Sequence, residues 1–248
     1  MTVTSEEELQ GLLAAGRAVR KAFNVMKAAA VPGVSTEELD LMGEVSLDKS
    51  GAVSAPQHFY DFPGATCISV NEEAAHGIPG PREIVAGDMV NIDVSAVLNG
   101  YVADMGESFV VGEASDDRRD ICRHVQQAVE LAITKVRAGA RLNVIGETVQ
   151  KFAYTHGYKI VRNLGSHGLG RTLHEEPSYV PVNNPRDKRR LKEGMVLTIE
   201  PFFTNGVEWV KEQADGWTLT VPVGKLVAQF EQTLIVRKET NPIVVTAA

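Results

Sequence analysis

Apolar positions recur at helical spacing from the start of the chain. Leu9, Leu12, Leu13, Val19, Phe23 and Met26 share one helical face, which predicts a helix from about Ser5 to Ala30. Ser5 and Glu8 have the spacing of a capping box, and Pro32-Gly33 is a stop signal. A second helix is predicted from Ser35, with Glu38 three residues on, to about Lys49. Gly51 to Thr66, rich in Gly, Pro and aromatic residues, reads as a loop. Cys67 to Asn71 and Asp88 to Ser95 read as strands. Leu98-Asn99-Gly100-Tyr101 carries the Asn-Gly hairpin signal, and a return strand is expected to about Val111.

The pattern then restarts. A helix is predicted from about Ser115 to Ala138, with Ile121, Val125, Val129, Ile133 and Val136 on one face and Gly139 as its stop. A shorter helix covers roughly Asn143 to His156. Met195 to Ile199 reads as a buried strand, and several short β segments close the chain. Gly33 and Gly139, 106 positions apart, each separate a long helix from a shorter one. His76-Gly77-Ile78 and His167-Gly168-Leu169 both follow the next strand. Gly87–Asp93 lines up with Gly194–Glu200 at a spacing of 107. This repeated order predicts one α/β domain over residues 1–248, duplicated internally as about 5–111 and 115–240. Asp93 and Glu200 then occupy equivalent strand ends, and a pseudo-twofold centre collects side chains from both halves.

Composition narrows the function classes. The 248 residues are 44% hydrophobic and 23% charged, the balance of a globular chain long enough for a sizeable core. Asp and Glu number 32 against 25 Lys and Arg, giving a net charge of -7 that suits phosphate backbones poorly. Nucleic acid is therefore not the expected partner. Two distant cysteines, Cys67 and Cys122, offer neither a disulfide framework nor a paired-cysteine zinc motif. The acidic N-terminus has no apolar signal core, and no run approaches the roughly 18 apolar residues of a membrane span. A cytoplasmic protein without a membrane partner is expected.

The acids and histidines carry the chemistry. With a two-residue Asn99-Gly100 turn, cross-strand partners sum to 199, so residue 104 faces 95 and Asp93 lies two residues along on the same face. A hairpin aspartate usually meets only solvent. Asp93, however, sits between Val90, Ile92 and Val94, and a charge in a buried strand needs a partner. Glu200 ends the apolar run Met195–Ile199, and Glu231 lies in a second apolar run, Val227 to Val236. Each alone is equally compatible with a buried salt bridge. Four such acids, with no basic residue inside those strands, favour a metal. His167 and His174 share one glycine-rich segment, and His76 adds a third imidazole. Many carboxylates with few imidazoles suit Mn, Fe or Co, and several carboxylates can bridge two ions into a hydrolytic clamp. The residues thus reach a dinuclear metal hydrolase without naming a substrate.

Taken together, these motifs resemble the methionine aminopeptidases, specifically the short type I bacterial form, over nearly the whole chain. The resemblance implies the pita-bread fold, an α/β (α+β) duplicated domain with a curved antiparallel sheet and outer helices. It implies five ligands to two divalent ions (Co, Mn or Fe): Asp93, Asp104, His167, Glu200 and Glu231. It implies removal of the N-terminal methionine from peptides and nascent chains, preferably before a small second residue, by a metal-bridging hydroxide that attacks the first peptide carbonyl. Glu200 would then act as general base, His174 would stabilise the oxyanion, and His76 would contact the scissile amide or the following residue. The family's methionine pocket maps onto Phe59, Phe62, Cys67, Leu173 and Trp217. It also suggests a ribosome partner, and the lack of a coiled coil favours a monomer.

The sequence departs from the family pattern at several points. Phe59 and Phe62 stand where tyrosines are usual, Leu173 replaces a common aromatic, and Gln232 follows Glu231 where histidine is frequent. Met105 follows Asp104 in place of a threonine that can support the metal site. Two rivals share the fold. Proline-directed aminopeptidases or prolidases resemble longer chains with an extra N-terminal domain, for which a first helix near Ser5 leaves no room. Non-catalytic pita-bread binding proteins usually lose ligands, whereas all five stand here.

Overall fold

The computed structural model describes residues 1–247. The first half opens with α1 (Glu6–Ala29) and α2 (Thr36–Asp48). Then come β1 (Val53–Ser54), α3 (Ala55–Tyr60), β2 (Cys67–Val70), β3 (Glu73–Ala75), β4 (Met89–Leu98) and β5 (Tyr101–Val110). The second half restarts with α4 (Asp116–Ile133) and α5 (Asn143–Thr155). It continues through β6 (Lys159–Ile160), β7 (Ser166–Gly168), β8 (Glu175–Tyr179), β9 (Val196–Ile199) and β10 (Phe202–Thr204). It ends with β11 (Lys211–Glu212), β12 (Leu219–Thr220), β13 (Val227–Gln229), β14 (Gln232–Ile235) and β15 (Ile243–Val244).

Both helix starts follow local capping chemistry. At α2 the capping box is complete: Ser35 Oγ accepts from Glu38 N and the Glu38 carboxylate accepts from Ser35 N. At α1 only half of the expected box forms. Ser5 Oγ accepts from Glu8 N, but the Glu8 carboxylate reaches one residue further back, to Thr4 N and its hydroxyl. Two expectations need correction. Gly51 to Thr66 is not all loop, because Pro56 in its first turn and the Ser54 cap nucleate α3, which ends at Asp61 with φ of 54°. The helix predicted to Ala138 stops at Ile133, and the chain turns twice before Gly139.

The hairpin keeps the predicted register. Asn99 and Gly100 have φ of 52° and 76°, the left-handed pair that a two-residue turn requires. Ser95 consequently faces Asp104, and Asp93 faces Gly106. Strand β4 pairs with β1 and β2 on one edge and with β5 on the other. In the second half, β14 pairs with β9 so that Gln232 faces Ile199, and β9 also contacts β7.

The halves are stitched along β5. Glu231 N donates to Gly106 O at 2.7 Å, and Glu107 bridges Phe230. The Thr233 hydroxyl accepts from Asp104 N at 3.0 Å and donates to Asp104 O at 2.7 Å. Two large cores flank this seam. One packs Leu12, Val19, Phe23 and Met26 of α1 against Ile92, Val94 and Met105, and the other packs Ile121, Val125 and Val149 against Leu197, Ile199 and Leu234. Full burial of each such side chain stabilises the fold by about 1.5–3 kcal/mol, so the seam rests on two stiff supports. Polar residues at the seam are held in place at an energetic cost that these cores offset.

Candidate metal centre and adjoining pocket

Five side chains from both halves converge where β5 meets the second half. Asp93 comes from β4, Asp104 from β5 and His167 from β7, while Glu200 follows β9 and Glu231 lies between β13 and β14. All except Asp93 are buried, and Asp93 keeps partial exposure where its carboxylate faces the cavity. Ligand atoms of Asp104, His167 and Glu231 lie within 4.8 Å of one another.

The tautomer of His167 follows from its neighbours. Its Nδ1 lies 2.9 Å from the Gly168 carbonyl, which can only accept, so Nδ1 carries the hydrogen. Burial and then His174 hold the ring pKa down at about 4, so the imidazole is neutral at ordinary pH. Its Nε2 therefore offers a lone pair. That lone pair lies 3.4 Å from Glu200 Oε1 and 3.8 Å from Asp104 Oδ2. Acceptors facing acceptors need a proton or a cation between them.

The carboxylates have the same need. Burial pushes the Asp93 carboxyl up to about 6, against opposing hydrogen bonds from Gln229 and Asp104. Burial also raises Asp104, Glu200 and Glu231 well above the usual range, and each is raised further by neighbouring acids. Among the described residues, Asp104 Oδ1 and Glu231 Oε1 are buried with no hydrogen-bond partner. Among the described residues, no lysine or arginine lines the cavity to answer this charge. Orphaned buried oxygens cost about 1–3 kcal/mol each or more when charged. The donor set, four carboxylates and one neutral imidazole, fits hard or borderline divalent ions.

A cavity of about 340 Å³ opens beside the centre. Cys67, opposite Asp93 in the β2–β4 pairing, lines its floor, and burial pushes that thiol's pKa well up. Phe62 and Trp217 meet edge to face with ring centroids 5.1 Å apart, and Leu173 completes an apolar wall. Phe59 does not line this cavity; it packs on the first core instead. Its neighbour Tyr60 takes the place, and its hydroxyl lies 2.6 Å from His174 Nδ1. The His174 ring sits 4.3 Å from that of His167, and His76 also lines the cavity. His76 adopts a φ of 55°, uncommon for a residue with a side chain, in a turn closed by the Ile68 N to Gly77 O bond. Burial lowers the pKa of both histidines, and His174 lowers that of His76 further.

Four contributors escaped the sequence reading. Tyr60 was hidden because a presumed loop gives no facing rule, whereas α3 separates residues 59 and 60 by about 100°. Gln229 stands two residues before Glu231, a period-two signal that could have found it. Thr198, on the strand before Glu200, hydrogen-bonds its carboxylate at 3.3 Å. Asp40 in α2 receives Ala65 N, Thr66 N and the Thr66 hydroxyl at 2.6–3.0 Å, bracing the loop that carries Phe62.

Comparison with known proteins identifies the family and the fold. The model of Peptidase_M24, metallopeptidase family M24, matches residues 10–238. Methionine aminopeptidase 2 of Bacillus subtilis strain 168 is 44% identical over 248 residues, covering 99% of each chain. The crystal structure of methionine aminopeptidase from Thermotoga maritima superposes with a TM-score of 0.95 at 30% identity, covering 100% of both chains. That of the Rickettsia prowazekii methionine aminopeptidase gives 0.94 at 31%, again over 100% of both. The architecture is the pita-bread fold, and the chain belongs to metallopeptidase family M24.

Proposed function

We propose that this chain is a metal-dependent aminopeptidase that removes the N-terminal methionine from peptides and nascent proteins. The observation that carries the reading is the pairing of orphaned carboxylate oxygens with an apolar pocket of side-chain size. Asp93, Asp104, His167, Glu200 and Glu231 would hold two divalent ions, with Mn, Fe or Co suited to the donors. Divalent metal bound there supplies Lewis acidity and lowers the pKa of a nucleophilic water.

The chain's own groups divide the remaining work. The pocket of Phe62, Cys67, Leu173 and Trp217 takes the methionine side chain, whose flexible thioether packs well against aromatic edges. Asp93, the ligand most open to the cavity, lies where the substrate's free amine would enter, which restricts cleavage to the first residue. Glu200 accepts the proton of the attacking water as general base. The Tyr60 hydroxyl lies 2.6 Å from His174 Nδ1, and when it donates there the hydrogen of the neutral ring sits on Nε2. That Nε2–H is then free to donate to the developing oxyanion. His76, held by its turn, faces the amide on the leaving side.

Asp93 stands in the middle of β4 and Glu200 just past the end of β9, so the two do not occupy the equivalent strand ends that the sequence repeat predicts. The short type I form, a cytoplasmic site of action and a monomeric state are the further expectations, with nascent chains at the ribosome as a source of substrate. The Glu200→Gln variant tests the assignment. It should lose about 10²–10⁴-fold in kcat while keeping bound metal, since general-base contributions have that size. Near-normal turnover by a metal-replete variant would remove Glu200 from its role.

A further inference from the structure

Gln229 lies at the centre of the seam and is 1% exposed. Its Nε2 lies 3.2 Å from Asp93 Oδ2 and 3.1 Å from Glu231 Oε2. Two carboxylates can be met only by the NH₂ end of the amide, whose two hydrogens serve one each. The Oε1 end accepts from Asn91 Nδ2 at 2.7 Å, and Asn91 Nδ2 also reaches Ser108 Oγ at 3.1 Å. Ser108 Oγ in turn accepts from Gln229 N at 2.9 Å. The amide is thus held at both ends and by its own backbone.

The space for this amide exists because residue 106 is glycine. A Cβ on Gly106 would lie 2.2 Å from Gln229 Oε1 and 2.9 Å from Nε2, in collision with the whole amide. Gly106 is also the strand partner of Asp93, and its carbonyl accepts from Glu231 N. The same three residues are therefore linked through backbone and side chain. Gln229 occupies Oε2 of Glu231 and leaves Oε1 as one of the buried oxygens without a partner.

We propose that Gln229 is a positioning residue of the metal centre: seated in the slot left open by Gly106, its amide ties Asp93 to Glu231 and so sets the affinity for the second of two ions. The proposal rests on the reading of the five residues as ligands. Asp104, His167 and Glu231 form one tight group; Asp93 lies outside it, meeting Asp104 carboxyl to carboxyl and tied to Glu231 by the Gln229 amide. Met105 is fully buried in the first core, and the Asp104 backbone is held by Thr233.

The test is a calorimetric Mn(II) titration of the metal-stripped full chain beside Gln229→Met and Gly106→Ala. Methionine keeps the length of the side chain and lacks the donor. Wild type should bind two ions. Both variants should bind one ion with unchanged Kd and the other at least about tenfold more weakly, while the apo melting temperature falls more for Gly106→Ala, whose Cβ meets the Gln229 amide. If Gln229→Met does not fold, Gly106→Ala decides alone. Unchanged Kd values for both ions would overturn the proposal. So would equal weakening of both ions with a lowered apo melting temperature, the mark of a merely structural role. A wild-type chain that binds no Mn(II) would overturn the ligand reading itself, a separate failure.

Discussion

At the scale of single residues, the site is a set of acceptors that lack donors. Among the described residues two buried carboxylate oxygens have no hydrogen-bond partner and His167 Nε2 faces two carboxylates, and this points to a cation more directly than any spacing does. Tyr60 supplies the complementary detail, a hydroxyl 2.6 Å from His174 Nδ1 that orients the ring. Tyr60→Phe should therefore lower kcat by about three- to tenfold, the worth of one hydrogen bond, with little change in metal content. Steady-state kinetics on a methionyl tripeptide would check this, and an unchanged kcat would remove Tyr60 from the account. The four acids of the centre could be picked out in the sequence, because each is set in or beside an apolar run, whereas the choice of His167 among three candidate histidines rested on the family resemblance. Tyr60 and Gln229 could not be read so easily. Their importance lies in which way they face, and facing depends on a six-residue helix and on an irregular strand junction.

At the scale of elements, the hairpin β4–β5 was legible and the segment after α2 was not. Asn99-Gly100 dictates both turn and register, so the relation of Asp93 to Asp104 follows from local rules. Gly51 to Thr66 has no periodicity, and its form is set by partners distant in sequence. Asp40 is the principal one, reaching from α2 to three donors of Ala65 and Thr66. Asp40→Ala should cost about 1–3 kcal/mol of stability through the donors it leaves unpaired. Because the freed loop carries Phe62, KM should rise several-fold while kcat stays near its normal value. Denaturant melts and kinetics together would separate these effects, and a loss confined to kcat would contradict the pocket role of the loop.

At the scale of the whole molecule, two cores hold a seam that concentrates negative charge. The pH dependence of stability follows from the displaced pKa values. Carboxyls raised in the folded state hold protons that the unfolded chain has released, so their contribution is present below the ordinary carboxylate range. It is lost as pH rises through the folded values, starting with Asp93 at about 6. The depressed histidines act oppositely, losing stability only as pH falls below their ordinary value toward about 4 for His167. The metal-stripped protein should therefore lose several degrees of melting temperature between about pH 6.5 and 8. Metal should abolish that slope, since it neutralises the ionised acids. A metal-stripped protein whose melting temperature is flat or rising over this range would contradict the electrostatic account. The order of a long helix then a shorter one, met twice, was legible from periodicity and glycine stops, whereas the joining of β5 to the second half was not. That junction depends on backbone bonds such as Glu231 N to Gly106 O, which no side-chain pattern announces.

The central claim is metal-dependent removal of a terminal methionine, and a peptide panel read by mass spectrometry tests it most directly. The metal-stripped chain would be reloaded with Mn, Fe or Co in turn and given Met-Ala-Ser, Ala-Ala-Ser and Ala-Pro-Ser. Loss of methionine from Met-Ala-Ser alone, and only with metal present, is the predicted result. Cleavage of Ala-Pro-Ser instead, or no cleavage by a protein carrying two ions, would contradict it.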